Sequence, residues 1–415
     1  MPTGPWKCVG GRSNVVGVVT SRRPTATTLY TGPFVLLCAS VFFAANAPNL
    51  FIVVPRYLRA LGHDKGAIGA IGAAYSVASL SVMPLWARAA ERISGRTPIV
   101  FGMALCALGC VGFELVHTFP LLCAARVLMG AGWSGVLVGS SFCATELAPP
   151  GRMAQALGAA GVLTLVALAL GPLAGEALVA SVGWIWMFRT AALCALFGAA
   201  LGLGLPRLRR RITTLDDTGL TGASAPGAAA AWRRAALRPF VAMVLCGSGY
   251  GAVVFFLADD MTLLGHYSIT PFYNAYVICA VLVRVFAGSL SDRVGRHAVV
   301  VPSLLGQAVA LAGLALCTHG WQLWPIGAVF GVTHGLYYPA LLALVIERAP
   351  AAKRARAAAS GNFAFALGMS AAGFGGGAIA QAHGYPAVYA TVAAAALAGM
   401  ALTAWDRSKV RSAAP

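Results

Sequence analysis

The stretch that most clearly indicates the fold of this chain is Gly288-Ser289-Leu290-Ser291-Asp292-Arg293-Val294-Gly295-Arg296-His297. It lies between two apolar runs, 271–291 and 298–317, each long enough to cross a bilayer as a helix. A carboxylate and two arginines are costly to place in hydrocarbon, so the stretch predicts a tight turn at the cytoplasmic surface of a membrane. Its glycines allow the two helices to approach each other closely.

The composition of the 415-residue chain is that of a membrane protein: 59% of the residues are hydrophobic, 10% are charged and the mean hydropathy is +0.78. Soluble chains carry about 25% charged residues. Apolar stretches of roughly 20 residues, the length that crosses a bilayer core, recur along the chain. Because lipid offers the backbone no hydrogen-bond partners, these runs predict helices, and the fold class is an all-α membrane protein.

We expect twelve transmembrane helices, at 33–55, 67–87, 98–117, 120–145, 155–179, 184–205, 239–262, 271–291, 298–318, 321–346, 358–382 and 386–405. Of the 30 Lys and Arg residues, 24 fall in the termini and in every second connection, whereas the other connections hold only Arg56, Arg59 and Lys65. Basic residues concentrate on the cytoplasmic side, so both termini are expected there. The net charge of +18 is therefore a signal of topology, and we expect no nucleic-acid partner.

This pattern divides the chain into five segments. A basic N-terminus at 1–32, expected to be disordered and cytoplasmic, precedes a six-helix bundle at 33–205. A charged cytoplasmic linker at 206–238, with a surface helix near 228–238, leads to a second six-helix bundle at 239–405 and a cytoplasmic tail at 406–415. The Gly/Ala/Ser/Pro-rich middle of the linker is typical of a mobile connection.

The two bundles repeat each other at one offset of 201 residues. Glu91-Arg92 matches Asp292-Arg293, and Glu146-x-Ala148-Pro149 matches Glu347-x-Ala349-Pro350. Gly183-Trp184 matches Gly384-Tyr385 in the same way, as does Gly130 with Gly331. A shared offset at the same place in each half predicts an internal structural repeat.

The quoted stretch resembles the loop signature of the major facilitator superfamily, Gly-x-Leu-x-Asp-Arg-x-Gly-Arg-Arg, except that His297 replaces the last arginine. The resemblance covers about 33–405. It implies two parallel six-helix repeats about an axis along the membrane normal, with the substrate at midplane between them. It also implies a monomer in the lipid bilayer that moves a small-molecule substrate, coupled to protons, by alternating access.

A charge network at the cytoplasmic helix ends would distinguish the two states of such a protein. The first half carries a degenerate copy of the loop, with Ala87 in place of the first glycine, and a glutamate closes the fourth and the tenth span. The residues expected to act in gating are Gly288, Asp292, Arg293, Gly295, Arg296, Glu91, Arg92, Gly95, Arg96, Glu146 and Glu347. The alternative is that these charges only anchor helix ends among lipid headgroups.

The fourth and fifth spans carry two further motifs. Arg126-x-x-x-Gly130-x-Gly132 resembles the second motif of the superfamily, and the fifth span resembles the proline-glycine motif of its antiporters, with Ala167 and Glu176 where that motif has glycine. The residues expected to pack helices together are Gly130, Gly132, Gly158, Gly171, Pro172 and Gly175. The spacing Gly130-x-Gly132-x-x-Gly135 also fits a dinucleotide fingerprint, but no strand precedes it, so no cofactor is expected.

Polar residues within the spans are candidates for the pathway of the substrate or of protons: Arg126, Asn46, Asn49, Tyr250, Arg284, His334, Tyr338, Asn362, Glu176 and Asp259. Arg126 should face a cavity or a partner, because an arginine within a span costs at least about 2.5 kcal/mol. Arg284 either binds an anionic substrate or belongs to the loop network. The first span lacks an acidic residue, so the proton would be carried by His334, or by Glu176 or Asp259 paired with Arg126; Glu114 and Arg189 can instead pair with each other.

The resemblance implies proton-coupled efflux of a drug-like compound or metabolite. The short loops favour a bacterial inner membrane as its location. The alternatives are uptake symport of a sugar or organic acid, and a receptor that transports nothing. An enzyme is not expected, since HExxH, GxSxG and Walker-A patterns are absent, and the ten cysteines show no Cys-x-x-Cys spacing for a metal. Aromatic and amide residues with few acids favour a neutral or anionic substrate over a cation.

Overall fold

The computed structural model describes residues 29–149, 152–208, 226–266, 268–287, 290–350 and 354–412. Every regular element in these ranges is a helix. The helices are α1 (Gly32–Leu50), α2 (Val54–Ala60), α3 (Lys65–Arg92), α4 (Arg96–Leu115), α5 (Phe119–Leu147), α6 (Met153–Val182), α7 (Trp184–Leu203), α8 (Pro226–Leu263), α9 (Thr270–Phe286), α10 (Leu290–Val294), α11 (Arg296–Ala315), α12 (Leu323–Glu347), α13 (Arg354–His383) and α14 (Tyr385–Ser412). Short 3-10 turns at Phe51–Val53 and Gly320–Gln322 complete the set in these ranges.

Eleven helical segments of the described ranges are long and apolar enough to cross a membrane, with α1 and α2 counted as one segment. The 17-residue α9 is a shorter apolar helix and makes the eighth span in chain order. The prediction of an all-α membrane protein is therefore confirmed. The eighth span ends at Phe286, five residues earlier than expected, and the short α10 lies in the quoted stretch.

The ends of several other spans differ from expectation because helix continues into charged sequence, as in the second span, where α3 extends through Arg92. Pro55 lacks an N–H and its ring disfavours regular helix before it, so a 3-10 turn forms and α2 then continues through Ala60. Arg56 and Arg59 consequently lie on a helix and not in a loop. The Ala- and Arg-rich residues from Pro226 onward are good helix formers and join the seventh span in one helix, and α14 likewise runs on to Ser412.

The repeat predicted from the sequence extends to backbone detail. Gly183 and Gly384, 201 residues apart, both have positive φ (88° and 84°) and both separate two consecutive spans. A Cβ atom on Gly130 would collide with the carbonyl oxygen of Tyr75, and one on Gly331 would collide with that of Tyr276. Tyr75 and Tyr276 are again 201 residues apart, so the same close helix crossing occurs in each half.

The helix ends form two opposite faces of the bundle. We call one the basic face; it consists of the ends at 29–32, 92–96, 147–149, 203–208, 294–296 and 347–350. We call the other the far face; it consists of the ends at 60–65, 115–119, 182–184, 263–266, 268–270, 315–323 and 383–385.

The two halves meet where α3 packs along α13 and α6 packs against α9. Near the far face the contact is backbone to backbone, since Gly69 lies directly against Gly373 and Gly377. Only glycine permits so close an approach, so this end of the interface is tightly closed. Closer to the basic face the same two helices are separated by a cavity.

Candidate functional site

A cavity of about 780 Å³ lies between the two halves of the bundle. Its lining extends from Pro55 and Leu58, near the far face, to Glu91 and Thr145, near the basic face. The far end is sealed: Leu58 is only 1% exposed. Six of the polar residues expected on a substrate pathway line this cavity: Asn49, Arg126, Tyr250, His334, Tyr338 and Asn362.

Arg126 projects from α5 of the first half and is 9% exposed. Its guanidinium lies 5.2 Å from the ring centre of Phe51 and 5.5 Å from that of Phe113, and one Nη donates a long hydrogen bond of 3.4 Å to the Phe51 carbonyl. Its Nε is buried without a hydrogen-bond partner in the protein. The cation is thus held by two aromatic faces while much of its donor capacity is unused.

His334 projects from α12 of the second half and is 6% exposed. Its Nδ1 shares a hydrogen bond of 2.8 Å with the hydroxyl of Tyr276, and its ring stacks on that of Tyr250 with centres 5.4 Å apart. Its Nε2 is buried without a protein partner. Phe365 packs at the edge of this group, which we call the aromatic wall: Tyr250, Tyr276, His334, Tyr338 and Phe365.

Asn362 holds the aromatic wall in place, and Arg284 acts on it through its charge. The Tyr338 hydroxyl donates a hydrogen bond of 2.8 Å to Oδ1 of Asn362, which joins α12 to α13. Arg284 of α9 is half-buried and close enough to act electrostatically on His334, Tyr250 and Tyr338. Arg284 is not part of the cavity lining, so its effect on a ligand there would be through its charge alone.

The far face is held by an ion pair between the halves. Asp259 of α8 is fully buried and accepts hydrogen bonds from Arg59 of α2, with Nε at 2.9 Å and a second, shorter bond from Nη2. The hydroxyl of Tyr385 donates to the same carboxylate. This cluster ties α2, the far-face end of the first span, to two helices of the second half.

A second cluster of the far face centres on Glu176 of α6. Its carboxylate binds Arg56 at 3.0 Å within the first half and accepts bonds of 2.7 Å from Ser268, from Thr270 and from the backbone N–H of Ile269. Those three donors lie at the N-terminus of α9, where a negative charge is favourable. Glu176 therefore also bridges the two halves.

The suggested pairing of Arg126 with Glu176 or Asp259 is wrong in this structure. Both carboxylates lie at the far face, each already bound by an arginine of α2, whereas Arg126 lies in the cavity. The sequence analysis assigned Arg56 and Arg59 to a loop, so it did not predict that they would lie on a helix from which they bind Glu176 and Asp259. Glu114 and Arg189 do form an ion pair with each other, with Nε 3.0 Å from Oε2.

The gating residues expected at the basic face are spread out in this structure. Arg96 donates hydrogen bonds to the carbonyls of Leu203 and Leu205, and the Gly95 N–H donates to Leu208, so both hold the end of α7. Arg296 binds Glu347 at 3.1 Å and Ser291 at 2.6 Å within the second half. Glu91 and Arg92 end α3 as exposed residues, with Glu91 at the cavity mouth, and Glu146 is half-buried at the end of α5.

Parts of the quoted stretch are outside the described residues. Gly288 is one of them, and of Asp292 only the backbone, within α10, is described. Arg293 is exposed, and Gly295 has φ +93° at the break between α10 and α11. That conformation is one that glycine adopts without strain, which accounts for a glycine at this turn.

The glycines expected to pack helices behave in two ways. Gly132 lies against the Gly102 carbonyl, Gly171 against the backbone of Asn49, and Gly175 near Leu50 and Val53. A Cβ on Gly158 would meet no atom within 4 Å.

Two other predicted residues lie within helices. Pro172 lies inside α6 beside Gly171. The Asn46 side chain donates a hydrogen bond to the Phe42 carbonyl of its own helix and does not line the cavity.

Sequence reasoning missed Asp406 by assigning it to a tail. It lies in α14, is 3% exposed, and binds His297 at 3.0 Å, Arg348 and, at 3.6 Å, Arg238. The repeat offers a signal that could have found it. His297 is 201 residues after Arg96, and Asp406 is 201 residues after Leu205, whose carbonyl binds Arg96.

Comparisons with known proteins agree with this helical membrane architecture. The family model described as Major Facilitator Superfamily matches residues 35–372 and 264–414. An uncharacterized MFS-type transporter of Burkholderia mallei is 26% identical over 413 residues, 93% of this chain and 94% of its own. The MFS efflux transporter aclA of Aspergillus oryzae is 31% identical over 183 residues, 43% of this chain and 33% of its own.

The chain spans about a third of the length of the fungal relatives it matches. In fold, the solved nucleoside transporter NupG is similar with a TM-score of 0.71 at 14% identity, over 90% of this chain and 99% of that one. The family match covers most of the chain and agrees with its helices, its repeat and its central cavity. The protein thus belongs to the major facilitator superfamily and is a multi-pass membrane protein.

Proposed function

We propose that this transporter carries a small molecule by alternating access, as a monomer, and that the structure is its state open toward the cytoplasm. The observation that carries the proposal is the asymmetry of the cavity, which reaches the basic face but is closed at the far face by glycine contacts and by the Arg59–Asp259 pair. Basic residues mark the cytoplasmic side, so the basic face and both termini are assigned to the cytoplasm.

The gating residues of the basic face are proposed to close it in the opposite state. In that state Asp292, Arg293 and Arg296 of the second half, with Glu91, Arg92 and Arg96 of the first, approach one another as the far-face cluster separates. The described ion pairs of the basic face support this, because Arg296–Glu347 and those of Asp406 all lie within the second half. Two charge clusters that form alternately are a two-state element of the kind alternating access requires.

The direction we propose is efflux of a drug-like compound or metabolite in exchange for protons, in a bacterial inner membrane. Support comes from the proline-glycine pattern of α6, whose Gly171 and Gly175 lie against the first span, and from the efflux transporter aclA among its partial relatives. For the proton we propose His334, which lines the cavity, together with Glu176 and Asp259, which are bound by arginines in this state and would be released when the far face opens.

Substrate-triggered proton movement in proteoliposomes tests the proposal. The full chain would be reconstituted with a pH-sensitive dye inside, and a panel of drugs and metabolites added. Protons moving opposite to one compound would support antiport; protons moving with it would replace efflux by uptake symport of a sugar or organic acid. Compound flux without protons would overturn proton coupling, and absence of flux for every compound would favour a receptor.

A further inference from the structure

The depth of the cavity carries an uncompensated positive charge. Among the described lining residues, Arg126 and Glu91 are the two charged side chains, and Glu91 lies at the basic-face mouth. Arg126 makes no ion pair with any carboxylate of the described residues. Since a buried, unpaired arginine is costly, an anion that enters the cavity relieves this cost, whereas a cation adds to it.

The donors of Arg126 that remain available fit an oxyanion. The guanidinium lies over the rings of Phe51 and Phe113, and one Nη donates a long hydrogen bond to the Phe51 carbonyl. The N–H at Nε is buried and has no acceptor. A guanidinium binds a carboxylate or sulfonate through two parallel hydrogen bonds. Arg126 therefore lines the cavity and has an N–H, at Nε, without a hydrogen-bond acceptor.

The aromatic wall of the second half also contains a buried polar atom that has no hydrogen-bond partner. Tyr250 stacks on His334, Phe365 lies 5.6 Å from Tyr250, and Nε2 of His334 has no partner. Rings of this kind favour offset or edge contacts with another ring. Arg284 adds positive potential behind this wall, which again favours a ligand of negative charge.

We infer that the transported substrate is an aromatic organic anion, with its anionic group on Arg126 and its ring against the aromatic wall. This inference rests on the proposed transport function and names its substrate class. A cavity of about 780 Å³ is within the range of small-molecule sites and accommodates one or two rings. Such a ligand contacts both halves at once, so its binding is coupled to their relative movement.

Binding of three probes that share one ring system and are similar in size tests this inference without any transport. The probes are radiolabelled 2-naphthoate, 2-naphthamide and 2-naphthylmethylammonium, which carry a negative, zero and positive charge at neutral pH. Binding to the purified full chain in detergent would be measured by scintillation proximity. Naphthoate is expected to bind about tenfold or more tighter than either other probe, a difference of about 1.4 kcal/mol. Equal affinities, or tighter binding of the ammonium, would overturn the inference.

Variants locate the anion. Arg126→Gln is expected to remove the preference for naphthoate over naphthamide, and Arg126→Lys to retain part of it. Arg189→Gln is the matched control, because Arg189 pairs with Glu114 and does not line the cavity; it should keep the wild-type preference. An undiminished preference in a folded Arg126→Gln protein would overturn the assignment to Arg126. If that variant does not fold, the probe order of the wild-type chain still decides the charge of the substrate.

A further pair of outcomes separates this inference from the proposed function. Tight, Arg126-dependent naphthoate binding with no flux of any compound into liposomes would uphold the binding site and overturn transport by alternating access. Flux of other compounds by a chain that shows no preference for naphthoate would uphold transport and overturn the substrate class.

Discussion

Asp259, fully buried in the second half, binds Arg59, which lies 200 residues earlier in the first half. The arginine is 29% exposed and the carboxylate 0%, so the pair lies at the inner edge of the far face. Tyr385 satisfies a further lone pair of the same carboxylate. Because opening of the far face must separate these groups, their attraction favours the state seen here.

Asp259→Asn is expected to shift the population toward a state open at the far face. The change removes the buried charge and leaves Arg59, which is 29% exposed, without its ionic partner, so the state described here loses the attraction that favours it. The measurement is labelling of a single cysteine, Leu58→Cys in a cysteine-free background, by an impermeant maleimide added at the far face. Leu58 is 1% exposed, so labelling should be slow in the parent and faster by an order of magnitude or more in the variant.

The control for that experiment is Glu114→Gln, which breaks the Arg189 ion pair within the first half alone. It should leave labelling at position 58 unchanged. Exchanging the two charges, Arg59→Asp with Asp259→Arg, should restore slow labelling. Equally slow labelling in Asp259→Asn and its parent would show that the pair does not hold the far face closed.

Gly130→Ala and Gly331→Ala should destabilise the protein to a similar extent. The new methyl group would meet the Tyr75 carbonyl in one case and the Tyr276 carbonyl in the other, and overpacking of this kind costs about 1–3 kcal/mol. Thermal unfolding of the purified protein would measure this. Gly158→Ala and Gly375→Ala, where nothing lies within 4 Å, should be neutral or slightly stabilising. A uniform effect at all four positions would contradict the symmetric close crossing.

Asp406→Asn should destabilise the basic-face end of α14 strongly. Asp406 is 3% exposed and its carboxylate is shared by His297, Arg348 and Arg238, so the amide leaves these three groups with one acceptor oxygen and no negative charge. We expect a loss of about 3–5 kcal/mol, read as a lower unfolding temperature and as faster amide exchange after Ala401. The matched change Glu347→Gln, in a pair whose carboxylate is 51% exposed, should cost about 0–1 kcal/mol. Equal effects of the two changes would refute this.

Asp292→Asn should impair transport while leaving the protein inserted and folded. We assign Asp292 to the cluster that closes the basic face, so removal of its charge should destabilise that closed state and not the state described here. Flux in proteoliposomes would be compared with thermal stability for the same preparation. Flux at the wild-type rate would remove Asp292 from the gating proposal.

Local sequence was enough to predict the spans, the internal repeat and six of the polar residues that line the cavity. Span positions follow from local hydropathy, since each helix in lipid satisfies its own backbone. The offset of 201 residues predicted equivalent sites that the structure places in equivalent turns, Gly183 and Gly384 among them. Arg126, His334 and Asn362 were identified because a polar side chain in an apolar run needs a cavity or a partner, and all three line the cavity.

Which charges meet and which face is closed depend on the packing of the helices against one another. The sequence contains several arginines that could pair with Asp259 or Glu176. Asp259 pairs with Arg59 and Glu176 with Arg56 because the packed helices bring these side chains to the same depth and face. Asp406 gained its three partners because α14 continues past the expected end of the last span. Such pairings join residues up to 200 positions apart, and hydropathy and short motifs contain no information about distances between helices.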